Sequence, residues 1–461
     1  MPDRSPILRI GNAQGFWGDA ADSPARLVAQ SPDLDYLTLD YLAEVSMSIL
    51  AKQRERTPDA GYPADFIGVV RSLAPFWRDG RNLRLVTNAG GLNPAGCARA
   101  AADALRDAGC RGLKIGVVTG DDVLPAIRAA LAAGAGTDAF RHLETCDRVG
   151  TVADRLVTAN AYLGAAPLVE ALAAGAGVVI TGRVADPSLT VAPCVHHFGW
   201  PPDDWDRIAG ATVAGHLIEC GTQVTGGIST DWLDLDRPEA IGFPVVEVSA
   251  DGSCVVTKPP GTGGRVDERA VKEQLLYETG DPASYLSPDA TVSFLSLRVA
   301  EGGPDRVRVF GATGGPPPRQ DKVSATYRAG YRASGMLAVF GRDAVTKARR
   351  CGEIVLRRLR DAGCEPQRSL VECLGAGDVV PGVLPRGDRE LTETVLRISV
   401  ADERREVVER FSREVVPLVT AGPQGTTGYA EGRPVVREVF GYWPTLIDRE
   451  QVRPRVEVFE V

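Results

Sequence analysis

Between Ile7 and Asp186 the chain repeats one event four times: a β-rich apolar run breaks into a glycine-containing loop, and a helix begins. The runs are Ile7–Ile10 into Gly11-Asn12-Ala13-Gln14-Gly15, and Leu83–Val86 into Thr87-Asn88-Ala89-Gly90-Gly91. Leu113–Val118 then leads into Thr119-Gly120-Asp121-Asp122, and Val178–Ile180 into Thr181-Gly182-Arg183-Val184-Ala185-Asp186. Parallel strands must be joined by crossovers, and the loops leaving their carboxyl ends gather at one sheet edge. The repetition therefore predicts an α/β fold with a largely parallel, Rossmann-like sheet flanked by helices, followed by an α+β region.

The domain reading follows from texture. Residues 1–240 carry the cassettes and alanine-rich helical stretches such as Ala98–Arg106, which favour helix by propensity. After Gly242-Phe243-Pro244 the chain turns to β-rich runs around Asp251-Gly252, a strong hairpin signal. Residues 241–390 are read as an α+β domain and 391–461 as a small α+β C-terminal segment.

Bulk properties exclude several classes. With 52 Lys and Arg against 60 Asp and Glu, the net charge of −8 leaves no basic footprint for nucleic acid and none for an anionic membrane surface. No apolar run approaches the roughly 20 residues that span a bilayer, and Met1–Ser5 open no signal-peptide core, so a cytoplasmic location is expected. Nine cysteines without a CxxC pair do not form a disulfide framework or a zinc pattern. Cys194, His196 and His197 lie close in sequence, but adjacent histidines diverge, so no metal is assigned.

The cassettes carry the candidate chemistry. Gly11–Gly15 is not GxGxxG, since residue 13 is alanine, and no Walker loop exists. Helix starts expose N–H groups that favour anions, and Arg183 adds a planar fork for carboxylate or phosphate. Asn12, Gln14, Asn88, Gly90, Gly91, Asn93, Arg183 and Asp186 are candidate substrate-binding residues. Asn93-Pro94 and Asp186-Pro187 also read as helix caps. Asp121 and Asp122 are candidate general bases, with Asp40 and Glu44 in reserve. On the helical stretch Gly215–Gln223, His216, Glu219 and Cys220 fall near one face and are candidates for acid, base or thiolate work. Gln223, Gly226 and Gly227 extend that site, and Lys258 before Pro-Pro-Gly-Thr-Gly-Gly is a candidate phosphate or carboxylate holder.

Several of these stretches also carry a family resemblance. Gly15–Asp19, Tyr36–Glu44, Asn88–Pro94, Thr119–Asp122, Thr181–Asp186, Gly215–Gly227, Thr257–Gly264, Gln274–Glu278 and Asp281-Pro282 resemble the acyclic terpene utilisation A (AtuA) family. The resemblance runs in order through most of residues 8 to 350. It implies a role in acyclic terpene breakdown through acyl-CoA thioesters of branched unsaturated acids. It also implies a small ferredoxin-like C-terminal domain or partner subunit.

The expected function is an enzyme acting on a small carboxylate or acyl-CoA thioester by hydratase/dehydratase, isomerase or lyase chemistry. Arg183 and the loop amides would hold a carboxylate or enolate oxygen, Asp121 or Asp122 would remove a proton, and Glu219 or His216 would return one. No cofactor is expected, coenzyme A entering only as part of the substrate. A homo-oligomer is expected. The alternatives are a noncatalytic acyl-CoA-binding subunit for a partner enzyme and a hydrolase working through Cys220.

Overall fold

The computed structural model describes residues 6–134, 139–383, 391–428 and 432–461. Met1–Ser5, on which the leader reading bears, lie outside the described residues. The described chain forms two compact units, residues 6–326 with 442–461, and residues 327–441.

The first unit is a mixed α/β structure built on a ten-stranded sheet. Its centre is parallel, in the spatial order Ile7–Asn12, Tyr36–Leu39, Arg84–Thr87, Val178–Thr181, Lys114–Thr119. Tyr36–Leu39 and Val178–Thr181 are buried at every position, as strands covered by helices on both faces must be. The sheet is mixed rather than largely parallel. Val245–Ser249, Cys254–Thr257, Arg306–Phe310 and Arg298–Glu301 extend one side antiparallel, and Arg455–Glu460 closes the other. Strands from residues 241–326 and from the C-terminal segment thus share one sheet with the four cassette strands.

Helix boundaries follow local chemistry. Asn93 accepts the Gly96 N–H at 3.0 Å and Pro94 opens the alanine-rich helix Pro94–Asp107, as its sequence predicts. Ser188–Phe198 starts differently. Asp186 does not cap it, because its carboxylate turns back to Arg183.

The helix Trp205–Ile218 is buried without a break from Ile208 to Ile218 and is mostly apolar over that stretch. Its end lies against the 186–187 turn. A Cβ at Gly215 would stand 2.7 Å from Pro187 Cα and from the Pro187 carbonyl oxygen, so only glycine permits the approach. His216 follows immediately.

The second unit pairs Gln320–Phe340, from residue 327 on, with Glu393–Asp402, and that strand with Arg368–Leu374. Thr426–Thr427 pairs on the other side of the long strand. Ala344–Asp361 and Arg405–Glu414 pack on this antiparallel sheet around Leu337, Val355, Ile398 and Phe411.

Candidate functional site

The first unit contains a cavity of about 820 Å³ whose walls include Glu44, Tyr162, Arg183, Asp186, His216, Glu219, Glu278, Tyr285 and Lys322. That volume lies within the range of small-molecule sites. Its polar floor is assembled from distant segments by buried hydrogen bonds.

Arg183 comes from the fourth cassette and is 2% exposed. Its guanidinium donates to the Leu42 carbonyl and, at 2.8 Å, to Asp186 Oδ1, while its Nε has no partner among the described residues. The group lies 4.2 Å over the Tyr162 ring, a cation–π contact in a desolvated place. The loop's shape is set by Asp121. That carboxylate accepts the Arg183 backbone N–H and Asn160 Nδ2, each at 2.8 Å. A Cβ at Gly182 would sit 2.5 Å from Asp121 Oδ1, so a side chain there would displace the Asp121 carboxylate. Burial pushes the Asp121 carboxyl up to about 6 against the pull of these hydrogen bonds.

Asp40 lies beneath the same floor. Its carboxylate accepts from Asn88 Nδ2 at 2.7 Å and from the Leu42 N–H at 3.1 Å. Burial raises it to about 6, opposed chiefly by the Arg183 charge. Burial likewise raises Asp186, with Arg183 opposing and the carboxylates of Asp40, Glu219 and Glu44 reinforcing the rise.

His216 and Glu219 reach the cavity from the end of the helix Trp205–Ile218. His216 Nδ1 is 2.9 Å from Glu219 Oε1, and His216 Nε2 is 3.0 Å from the Gln274 carbonyl. Burial would lower the His216 pKa, but Glu219 and that carbonyl raise it overall. Tyr285 and Phe294 each lie with ring centroids 5.7 Å from the imidazole. Tyr285 is delivered by the small antiparallel sheet of Tyr285–Leu286, Thr291–Ser293 and Thr313–Gly315. Asp289 anchors that sheet's turn by accepting the Ala165 N–H at 2.7 Å and the Ser188 hydroxyl.

The structure therefore gathers Glu44, Arg183, Asp186, His216 and Glu219 from the sequence candidates into one cavity. The others lie elsewhere. Asn12 spends Nδ2 on the Ile218 and Glu219 carbonyls, at 2.5 and 2.9 Å, satisfying the end of the helix that carries His216. The Gln14 carbonyl accepts the Asp40 N–H, and Asn88 braces Tyr41 and Asp40. Gly90 donates to the Thr181 carbonyl, Gly91 takes φ +54°, and Asn93 caps its helix. Asp122 is exposed and accepts the Leu124 N–H, on a separate groove. Gln223 lines a smaller hollow with Tyr277, and Gly226 and Gly227 close the turn before it. Lys258 is held by Asp305 and by the Thr262 carbonyl, both at 3.0 Å, outside the cavity. The Cys220 thiol is half-buried and pushed up by burial and by Glu219, which disfavours a thiolate.

Tyr162, Tyr285, Lys322 and Glu278 were missed as site residues. Glu278 closes the Gln274–Glu278 stretch noted in the sequence, but Tyr162, Tyr285 and Lys322 carry no local motif. Among the described residues, no group of three or more His, Cys, Asp or Glu is arranged to hold a metal ion, and no helix is long and apolar enough to cross a membrane.

A family model described as acyclic terpene utilisation family protein AtuA matches residues 8–458. The chain belongs to the AtuA family. No curated protein matches it, and no solved structure does.

Proposed function

We propose, from membership of a family linked to acyclic terpene utilisation, that this chain is an enzyme for a small carboxylate or acyl-CoA thioester. Its chemistry would be proton transfer next to the carbonyl, as in a hydratase, dehydratase, isomerase or lyase. The single supporting observation is the convergence of the His216–Glu219 pair with the Arg183–Asp186 pair in one cavity.

The parts suit such a reaction. A carbon acid next to a carbonyl needs a base at hydrogen-bonding range and positive potential where the oxyanion grows. The buried pair supplies the first. Arg183, with Asp40 and Asp186 tempering its charge, supplies the second. A thioester carbonyl suits this floor better than a free carboxylate, because six acidic side chains (Glu44, Asp186, Glu219, Glu278, Asp321 and Asp448) already line the cavity. Coenzyme A would belong to the substrate, and no resident cofactor is assigned. A homo-oligomer is part of the same proposal.

The test is exchange in D₂O. The purified chain is incubated with saturated and α,β-unsaturated branched acyl thioesters, and deuterium at the α and γ carbons is followed by NMR. Exchange or hydration that Glu219→Gln reduces by roughly 10²-fold or more supports the reading. No exchange across the panel, or exchange indifferent to Glu219→Gln, removes it.

A further inference from the structure

We infer that Glu219 Oε2 is the atom through which the cavity exchanges a proton, and that His216 is a positioning residue held as an imidazolium. The kinetic part of this inference rests on the proposed acyl chemistry. The charge-state part rests on the hydrogen-bond geometry of the pair and the charged groups around it.

A carbonyl oxygen can only accept a hydrogen bond. The Gln274 carbonyl, 3.0 Å from His216 Nε2, therefore fixes a hydrogen on Nε2. Gln274 is 3% exposed and returns the contact, its side-chain amide donating to the His216 carbonyl at 3.1 Å. This reciprocal clamp sets the ring's orientation. Nδ1 then faces Glu219 Oε1 at 2.9 Å. Two bare acceptors do not approach so closely, so one proton lies between them. The pair is either imidazolium with carboxylate or imidazole with carboxylic acid.

The surroundings choose the first state. The ring has an acceptor at each nitrogen, and Tyr285 and Phe294 lie against it. Asp40 lies near the pair, and the cavity wall carries Glu44, Asp186, Glu278, Asp321 and Asp448, six further carboxyl groups in all against the cations Arg183, Arg319 and Lys322. Tyr285 and Cys220, whose own acidities are suppressed by burial, add no charge.

The consequence is a division of labour. Both ring nitrogens are engaged, so His216 has none left for a substrate. Glu219 Oε2 is buried without a hydrogen-bond partner among the described residues, on a side chain that lines the cavity, so it is the oxygen of the pair left for a substrate that enters beside it. In the forward step the α C–H bond breaks, an O–H bond forms at Glu219 Oε2, and the C–H electron pair passes into the enolate. Return of that proton to the α or γ carbon regenerates the carboxylate. His216 keeps its own proton throughout.

The test uses the full-length chain labelled with ¹⁵N-histidine. Four histidines keep the spectrum sparse, and His216→Gln assigns the signal. The expected result is a His216 ring more than half doubly protonated at pH 6.5, where an ordinary histidine is half charged. In Glu219→Gln the ring becomes neutral and keeps its hydrogen on Nε2. A neutral wild-type ring at pH 6.5, a hydrogen on Nδ1 alone, or an imidazolium indifferent to Glu219→Gln overturns the inference.

A kinetic arm separates positioning from catalysis. His216→Asn still donates to Glu219 but carries no charge. It should lower kcat about 10–100-fold, leave KM within about threefold, and move the acid limb of the pH profile upward. Glu219→Gln should remove about 10³-fold. Loss in His216→Asn as deep as in Glu219→Gln, with an unmoved acid limb, makes His216 the proton carrier and overturns the assignment. If no acyl thioester turns over, the functional reading fails, while the NMR result still decides the charge state.

Discussion

Two buried cations in the same unit stand on glycine-containing loops, and they end in opposite situations. Lys258 is held in place: Asp305 and the Thr262 carbonyl take its ammonium, and it is not among the residues lining the cavity of about 820 Å³. Arg183 is also paired, but its Nε lacks a partner and its neighbours open onto the cavity. A cation fully satisfied by its surroundings is a structural strut. Arg183 instead lies beside a cavity that acid–base groups also line, which is where we place the proposed site. Glycine loops and positive charge alone do not distinguish the two.

The largest expected effect falls on Glu219. Glu219→Gln should cut turnover about 10³-fold while the fold survives, since the amide keeps the shape and a hydrogen-bonding oxygen. Retained turnover would detach the cavity from the chemistry. Next comes the contrast itself. Arg183→Met should lower turnover about 10²-fold. Lys258→Met should leave it within about threefold and reduce unfolding free energy by about 1–3 kcal/mol, read by urea titration. The reverse pattern would exchange the roles of the two loops.

The Asp121 strut sharpens the comparison through pH. Its native pKa is raised to about 6 from an ordinary 3.8. Between these values the native chain binds the extra proton. The group's contribution to stability is therefore greatest at low pH, falls as pH rises through about 4 to 6, and is flat above. The stability of wild type relative to Asp121→Asn should decline by roughly 1–3 kcal/mol from pH 4 to 7. A difference constant with pH would contradict the raised value. The smallest effect is expected for Cys220→Ser, a change in turnover under about threefold, because the thiol is held protonated.

Much of the frame was legible in the sequence. The cassette strands and the Asn93 cap needed only local signals, period and turn chemistry. The antiparallel extension was not legible as part of the same sheet, because strand order is decided by long-range packing. At the site, Arg183, Asp186, His216 and Glu219 carried local signals of charge and helical spacing. Asp121 and Asn12 carried signals just as strong, yet the chain spends them on the Arg183 N–H and on the end of the His216 helix. Tyr162 and Tyr285 sit in stretches without a motif and reach the cavity only through tertiary structure. Polar residue type was readable; which polar groups the fold would consume internally was not.

The most direct test of the central claim is a crystal structure of Glu219→Gln with a branched unsaturated acyl thioester bound. The account predicts the acyl group inside the Arg183–Glu219 cavity, with its reacting carbon within about 3.5 Å of the residue 219 side chain. An acyl group lodged instead at the Lys258 loop, or anywhere outside that cavity, would contradict it.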